Sequence, residues 1–334
     1  MRGRKKAERE ACTAQKNRYP KKALSPAQKR EYPDRALSPT GRTGQTSGTN
    51  RASPLRRLTR FAARLAVLAA ALALFLWWNN HALQVTETEV PFPDLPAGFD
   101  GFRVAVLSDL HGAAFGADNE KLFRAVAETR PEMIFLLGDL EDSYRGPVPG
   151  YAETIADGLT AIAPVWYVTG NHEWAIGSVK ELKARLKDHG VTVLSNDFEI
   201  IDRNGDGLII AGIDDPNGYA DQRTPEELAE LIDTSDPNYF WLLLAHRNNL
   251  FPTRYCKLGA GLVLSGHGHG GLIRLPFTDG LIDTNLTLFP SWTAGLYEKD
   301  GSTLFVTRGL GNSGSTFRLF NRPEIAVLTL RRAG

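Results

Sequence analysis

The sequence predicts an α/β protein: a sandwich of two mixed β-sheets flanked by helices, set behind a transmembrane helix and a disordered basic tail. Three observations lead there. Charge is segregated along the chain, one nearly uncharged run is long enough to enter a bilayer, and beyond residue 101 short apolar runs alternate with amphipathic ones. The 334 residues are 42% hydrophobic and 23% charged, an ordinary balance for a protein with a sizeable core. The net charge of +1 conceals the segregation. Residues 1–64 hold 18 Lys or Arg against 4 Asp or Glu, a net of +14 that leaves −13 on the rest.

Residues 1–54 are rich in Lys, Arg, Ser, Thr, Pro and Gly and have no apolar period. Such a segment cannot bury enough surface to offset ordering, so it reads as a disordered basic tail. Its repeated ALSP (23–26 and 36–39) adds no function. Residues 55–80 follow as an anchor or uncleaved signal. From Phe61 to Trp78 every residue but Arg64 is apolar, close to the ~20 residues of a bilayer span. Trp77 and Trp78 suit an interfacial belt, and Arg64 is near enough to the end to snorkel. No small-residue cleavage site follows; a cleaved signal or a buried soluble helix are the alternatives. The basic side is N-terminal, so the expected location is the cytoplasmic membrane, single-pass, with the N-terminus cytoplasmic and the body extracytoplasmic. Residues 81–100, with Pro91, Pro93 and Pro96, read as a linker.

In the body, 101–334, FRVAVLSDL reads as a buried strand and DNEKLFRAVAETR as an amphipathic helix. EMIFLLGDL, YAETIADGLTAI and VWYVTGN continue the alternation, and VKELKARLKDHG is a third helix stopping at Gly190. Strands alternating with helices imply a parallel sheet. After residue 191 strands dominate: VTVLSN, LIIAGI, FWLLLAH, GLVLSG, STLFVTRG and EIAVLTL. A second sheet packed on the first is the natural result. The two cysteines, Cys12 and Cys256, are too distant in character to form a framework, and Cys256 reads as a small buried apolar residue.

Ligands gather beyond the carboxyl ends of strands in open α/β sheets, and five strands here end in donors. They are Asp109 and His111, Asp139, Asn171, His246, and His267 with His269, and His172 follows Asn171. Side chains two apart on a strand share a face, so Asp109 and His111 could grip one ion if the strand geometry persists, as could His267 and His269 if the backbone bends. Imidazole and carboxylate without thiolate favour Mn, Fe, Zn or Co. A single strand-end Asp is usually a cap and a single His a satisfied core residue; seven donors at five successive strand ends are a site.

SDLH, GD, GNHE, AH and GHGH in this order resemble the calcineurin-like metallophosphoesterase superfamily. The resemblance extends over residues 101–334. AGIDDP, SGHGHGG and LFNRPEIAVLTL are similar to its bacterial membrane-anchored or exported branch, related to UDP-2,3-diacylglucosamine hydrolases. It implies two divalent metal ions, with Mn, Fe or Zn as the candidates. One would sit on Asp109, His111, Asp139 and His269, the other on Asp139, Asn171, His246 and His267, with Asp139 bridging. The implied activity is hydrolysis of phosphodiester, phosphomonoester or pyrophosphate bonds by a metal-activated hydroxide, on membrane- or envelope-associated substrates, some lipid-linked. His172 would protonate the leaving group, hold a phosphoryl oxygen, or merely orient Asn171. The sequence departs from the pattern at Gly268 (usually Thr), Leu272 (Gln), Asn248 (Pro) and Glu173 (Asp), and none of these removes a ligand.

Two other motifs are set apart. DRNGDG (202–207) matches the opening of a calcium loop, but its twelfth position is Ile213 and its flanks are strands, so it reads as a hairpin turn. GLGNSG (309–314) reads as a loop near the active site, with Asn312 and Arg318 as phosphate contacts. The alternatives in function are a UDP-2,3-diacylglucosamine-type pyrophosphatase and, of another class, a non-catalytic membrane-anchored scaffold. The acidic body argues against nucleic acid as a partner of the catalytic domain. The sequence leaves the oligomeric state open.

Overall fold

A computed structural model describes residues 54–218, 222–232, 240–275, 280–283, 286–314 and 316–334. The tail expected over 1–54 lies, but for Pro54, outside them. Helix α1 (Pro54–His81) leads directly into strand β1 (Gln84–Phe92). Strands β2 (Arg103–Leu107), β3 (Met133–Leu137), β4 (Val165–Val168) and β5 (Thr192–Val193) then alternate with helices α2 (Glu120–Glu128), α3 (Tyr151–Thr160), α4 (Asn171–Ile176) and α5 (Val179–Asp188). The remaining elements are β6 (Asp197–Arg203), β7 (Asp206–Ile213), α6 (Pro225–Leu231), β8 (Phe240–Arg247), β9 (Leu262–Gly266), β10 (Gly295–Lys299), β11 (Ser302–Val306) and β12 (Glu324–Arg332).

Two six-stranded mixed sheets result, in the orders β1-β12-β2-β3-β4-β5 and β10-β11-β9-β8-β7-β6. Their strands alternate as buried strands must. In β2, Val104 and Val106 face the second sheet, while Ala105 and Leu107 face α2, α3 and α5. In β8, Leu242 and Leu244 face the first sheet, while Trp241, Leu243 and Ala245 pack against α6 and the 251–256 segment. Cys256 is buried there, as expected. Helices end where the sequence says they should: Gly190 takes φ 81° after α5. Thr224 caps α6 in a reciprocal box with Glu227, ahead of Pro225.

Residues 81–100 are not a tether. Strand β1 pairs in parallel with β12 from Gln84 opposite Glu324 to Phe92 opposite Arg332. Val90, Phe92, Leu95 and Phe99 enter the core between the sheets, each worth roughly 1.5–3 kcal/mol of burial. The prolines suggested a spacer; the apolar residues between them decide the outcome. DRNGDG is the expected turn between β6 and β7: Asn204 and Gly205 take φ 59° and 84°, the left-handed pair of a tight hairpin.

Helix α1 spans 28 residues, about 42 Å at 1.5 Å each. It is long and apolar enough to cross a membrane.

Candidate metal centre

The carboxyl ends of β2, β3, β4, β8 and β9 converge, and their donors converge with them. His111 Nε2 lies 3.1 Å from His269 Nε2 and 3.7 Å from Asp139 Oδ2. His269 Nε2 lies 3.5 Å from Asp109 Oδ1. On the other side of Asp139, His246 Nε2 lies 3.1 Å from Oδ2, 3.2 Å from Asn171 Oδ1 and 3.2 Å from His267 Nδ1. Three overlapping clusters could each hold an ion, namely Asp109 with His111 and His269, His111 with Asp139 and His172, and Asp139 with His246 and His267, so the donors spread to either side of Asp139.

The donors do not converge by strand alternation. Strand geometry does not persist past Leu107 or Gly266. Asp109, His111, Asp139, His267 and His269 take φ of 52°, 48°, 51°, 66° and 47°, all in the left-handed region that costs non-glycine residues energy. Five strained donors in one place are a signature of a functional site. The kinks also separate the two histidines of GHGH: His269 joins Asp109 and His111, while His267 joins His246 and Asp139. Gly266 makes the fit possible, since a Cβ there would lie 2.0 Å from Ser108 Oγ and 2.7 Å from Asp109 Oδ2.

Buried second contacts orient the donors. His246 Nδ1–H donates to the Leu137 carbonyl at 2.7 Å, leaving Nε2 to face Asp139. The backbone N–H of His172 donates to Asp139 Oδ1 at 2.9 Å, and that of His267 to both Asp109 oxygens at 3.1 Å. Glu173 has a role its sequence position did not reveal. Its carboxylate accepts the N–H groups of Asp139, Leu140, Glu141 and Gly170 at 2.6–3.2 Å, tying the ends of β3 and β4 together. No residue type marks such a role, because every partner is backbone.

Charge follows from this burial. Desolvation holds His111, His267 and His269 below the ordinary imidazole range, so three rings are neutral, the form that binds metal. Desolvation presses His246 the same way, but the Asp139 carboxylate outweighs it and raises that ring to about 10. Burial and the Asp139 charge together push the Glu173 carboxyl up to about 7, although four N–H donors match its ionised form.

The residues fit a pair of divalent ions. Imidazole, carboxylate and amide oxygen suit Mn, Fe or Zn. Donor-to-donor edges of 3.1–3.7 Å match the roughly 3.0–3.5 Å edges around an ion held at ~2.0–2.2 Å.

His172 is buried beside this centre, its Nε2 3.9 Å from Asp139 Oδ2 and 3.4 Å from Ser313 Oγ. The Ser143 backbone N–H donates to its Nδ1 at 3.0 Å, which assigns the ring proton to Nε2. Asp142, Ser143 and the exposed Tyr144, whose ring centre is 5.5 Å from that of His172, were invisible in the sequence because they lie on a loop without a motif, whereas Ser313 belongs to the GLGNSG loop. The 309–314 loop is near the site, as expected, but Asn312 and Arg318 do not face it. Arg318 is fully buried. Its guanidinium donates to the carbonyls of Arg308, Gly311 and His269, to Asn312 Oδ1 and to His269 Nδ1, so no donor is left for phosphate. The Asn312 amide is committed to Asn80 Oδ1 and Arg318.

Two departures from the family pattern turn out to be neighbours. A Cβ on Gly268 would lie 2.6 Å from Asn248 Nδ2, which donates to the Trp292 carbonyl. The small residue at 268 makes room for the amide at 248.

The calcineurin-like phosphoesterase profile matches residues 102–271. The uncharacterized metallophosphoesterase YkuE of Bacillus subtilis is 28% identical over 262 residues, 75% of this chain and 86% of that protein. An uncharacterized metallophosphoesterase of Aquifex aeolicus is 27% identical over 271 residues, 80% of this chain and 99% of that protein. The transmembrane protein with metallophosphoesterase domain of Bos taurus is 30% identical over 271 residues, 75% of this chain. The chain spans only 57% of that last relative's length.

Proposed function

The chain belongs to the calcineurin-like phosphoesterase family, and from that premise we propose that it hydrolyses phosphoesters with two divalent ions held by the seven converging donors. Asp109, His111 and His269 would hold one, Asn171, His246 and His267 the other, and Asp139 both. When bound, such a pair lowers the pKa of a water and neutralises charge on the phosphoryl oxygens. The observation that carries the assignment is Asp139 Oδ2, within 3.1 Å of His246 Nε2 and 3.7 Å of His111 Nε2, among the described residues the one carboxylate oxygen within 4 Å of both groups.

The protein's own residues supply position and one directed proton. Glu173 and the left-handed kinks hold the donors before substrate arrives, so little reorganisation is left for the reaction. His172 presents Nε2–H to the reacting phosphoryl group. Its Nδ1 is occupied as an acceptor, which supports holding a phosphoryl or leaving-group oxygen over donating a proton outright. Tyr144 forms part of the rim. The α1 span (Phe61 to Trp78) and the match to a transmembrane-named relative support a membrane-anchored enzyme acting on membrane- or envelope-associated phosphoesters, and the basic residues on the N-terminal side of the span support an extracytoplasmic body.

The test is hydrolysis of bis-p-nitrophenyl phosphate and p-nitrophenyl phosphate by the detergent-solubilised full chain, stripped of metal and then supplied with Mn, Zn, Fe or Mg. Metal-dependent turnover that Asp139→Asn abolishes supports the assignment. Equal turnover by the variant removes it.

A further inference from the structure

We propose that the body carries its own membrane-docking surface, graded by depth, built around the end of α1 from an apolar lobe and a pair of cations, with the bilayer crossed by α1 as its partner. The inference rests on α1 being that span.

The lobe is a small ribbon next to the metal centre. Leu319 pairs with Ile273, Ile273 with Ile282 and Ile282 with Leu288. It follows directly on His269, and the Asn321 side chain donates to the His269 carbonyl at 2.7 Å. Its tips are apolar and exposed: Phe317 53%, Phe320 54%, Leu286 75%, Leu288 64% and Phe289 68%. Leu286, Phe289 and Phe320 are also held at φ 61°, 52° and 54°, at roughly 1–2 kcal/mol each for a side chain of that kind. A fold that strains its backbone to hold large apolar groups in water has another environment for them.

Contact with α1 identifies that environment. The Phe320 ring lies 5.4 Å from Phe75, inside the apolar run, and the Arg322 guanidinium lies 4.6 Å above the Trp78 ring. Asn79 and Asn80 fix this arrangement, accepting the N–H groups of Asn321 and Arg318 at 3.2 and 2.7 Å. The run from 61 to 78 is about 27 Å long, near the ~30 Å of a hydrocarbon core. Phe75 lies about 4.5 Å inside its outer end, so Phe320 beside it is at hydrocarbon depth. At that end, Trp77 within the run and His81, Lys121 and Arg124 beyond it line a cavity of about 390 Å³. His81 stands about 9 Å along the helix from Phe75, at the level of lipid headgroups. Neither Lys121 nor Arg124 meets a carboxylate among the described residues, which leaves both for anionic headgroups. Apolar groups at acyl depth and free cations at phosphate depth match one bilayer surface, and the apolar lobe adjoins the metal centre through Asn321 and His269.

The experiment uses the full chain with Cys12→Ser and Cys256→Ser, reconstituted in phosphatidylcholine–phosphatidylglycerol vesicles whose acyl chains carry nitroxide. An environment-sensitive fluorophore is placed in turn at Phe75→Cys, Phe320→Cys, Phe289→Cys and, as a water-exposed control on β6, Ile200→Cys. Quenching at 75, 320 and 289 but not 200 is the expected result. Quenching at 75 with none at 320 and 289 overturns the docking surface while leaving the span intact, whether another protein covers the lobe or nothing does. No quenching at 75 removes the span itself. Omitting phosphatidylglycerol should weaken quenching at 320, and Lys121→Ala with Arg124→Ala should erase that dependence; insensitivity of the unaltered cations to lipid charge overturns the cationic half. Phe317→Ser with Phe320→Ser should lower turnover of a vesicle-embedded phosphodiester about tenfold and leave turnover of water-soluble bis-p-nitrophenyl phosphate unchanged. An equal loss on both substrates would contradict docking.

Discussion

His246 and His269 reach the same centre by different routes. His246 stands inside strand β8, its ring locked by a 2.7 Å bond to the Leu137 carbonyl and paired with Asp139 at 3.1 Å. His269 stands on a left-handed loop, and its supports are Arg318 and Asn321, which in turn depend on Asn79 and Asn80 of α1. His111, its neighbour, has a buried Nδ1 with no partner. The group around His246 thus contains a donor locked within a strand, while the group around His269 contains none and is held by loops tied to the anchor. Identical donor chemistry does not mean identical rigidity, and the second group should be the more easily disturbed.

Asp139→Asn tests what the two groups share and should have the largest effect. It removes the carboxylate common to both, and turnover should fall by roughly 10³-fold or more, the equivalent of several kcal/mol. Steady-state kinetics at saturating metal reads this directly.

Glu173→Gln comes next. It sets an NH2 group against one pair of the four N–H donors now bound to the carboxylate. An unsatisfied buried group costs about 1–3 kcal/mol, so stability should drop by roughly 2–4 kcal/mol, or about 5–15 °C in Tm. Unchanged melting would show that Glu173 does not tie β3 to β4.

The two groups should part at Asn80→Ala. The variant loses bonds to the Arg318 N–H, the Arg318 carbonyl and the Asn312 amide. Affinity for the more weakly held ion should fall about tenfold, a typical effect for an outer-shell partner, with the other ion retained. Isothermal titration with Mn resolves the two, and equal weakening of both would break the distinction.

The metal-free protein should be labile to acid. His111, His267 and His269 are held below their ordinary value, so below about pH 6.5 the unfolded chain binds more protons than the folded one and stability falls as pH falls. His246 has the opposite sign. Its raised value adds stability that is fully present below pH 6.5 and lost as pH rises through about 10. Tm measured against pH in chelator should show the acid loss, and bound metal should diminish it.

The smallest effect is expected at Gly268→Thr, which meets Asn248. It should cost about 1–3 kcal/mol by overpacking, and Asn248→Pro in the same chain should recover part of it. Additive losses would show that the two positions are not coupled.

How far the sequence was legible depended on whether the signal lay in residue type or in conformation. The strand-end donors were legible because Asp, His and Asn after an apolar run are a pattern of residue types. Their left-handed kinks were not, since nothing in Asp109 or His111 as residues demands φ near 50°. Strand β1 was missed because its partner β12 lies 240 residues later (Gln84 opposite Glu324), so no local turn announced it, and its prolines argued for a spacer. Arg318 was misjudged because a guanidinium suits phosphate; the carbonyls that use up its donors come from loops whose paths no short-range pattern specifies.

The central claim is two ions on seven donors, and anomalous scattering from a Mn-soaked crystal of the full chain in lipid or detergent tests it most directly. Two peaks about 3.5–4 Å apart are expected, one bounded by Asp109, His111 and His269, the other by Asn171, His246 and His267, with Asp139 reaching both. A single peak, or two peaks that do not share Asp139, would contradict it.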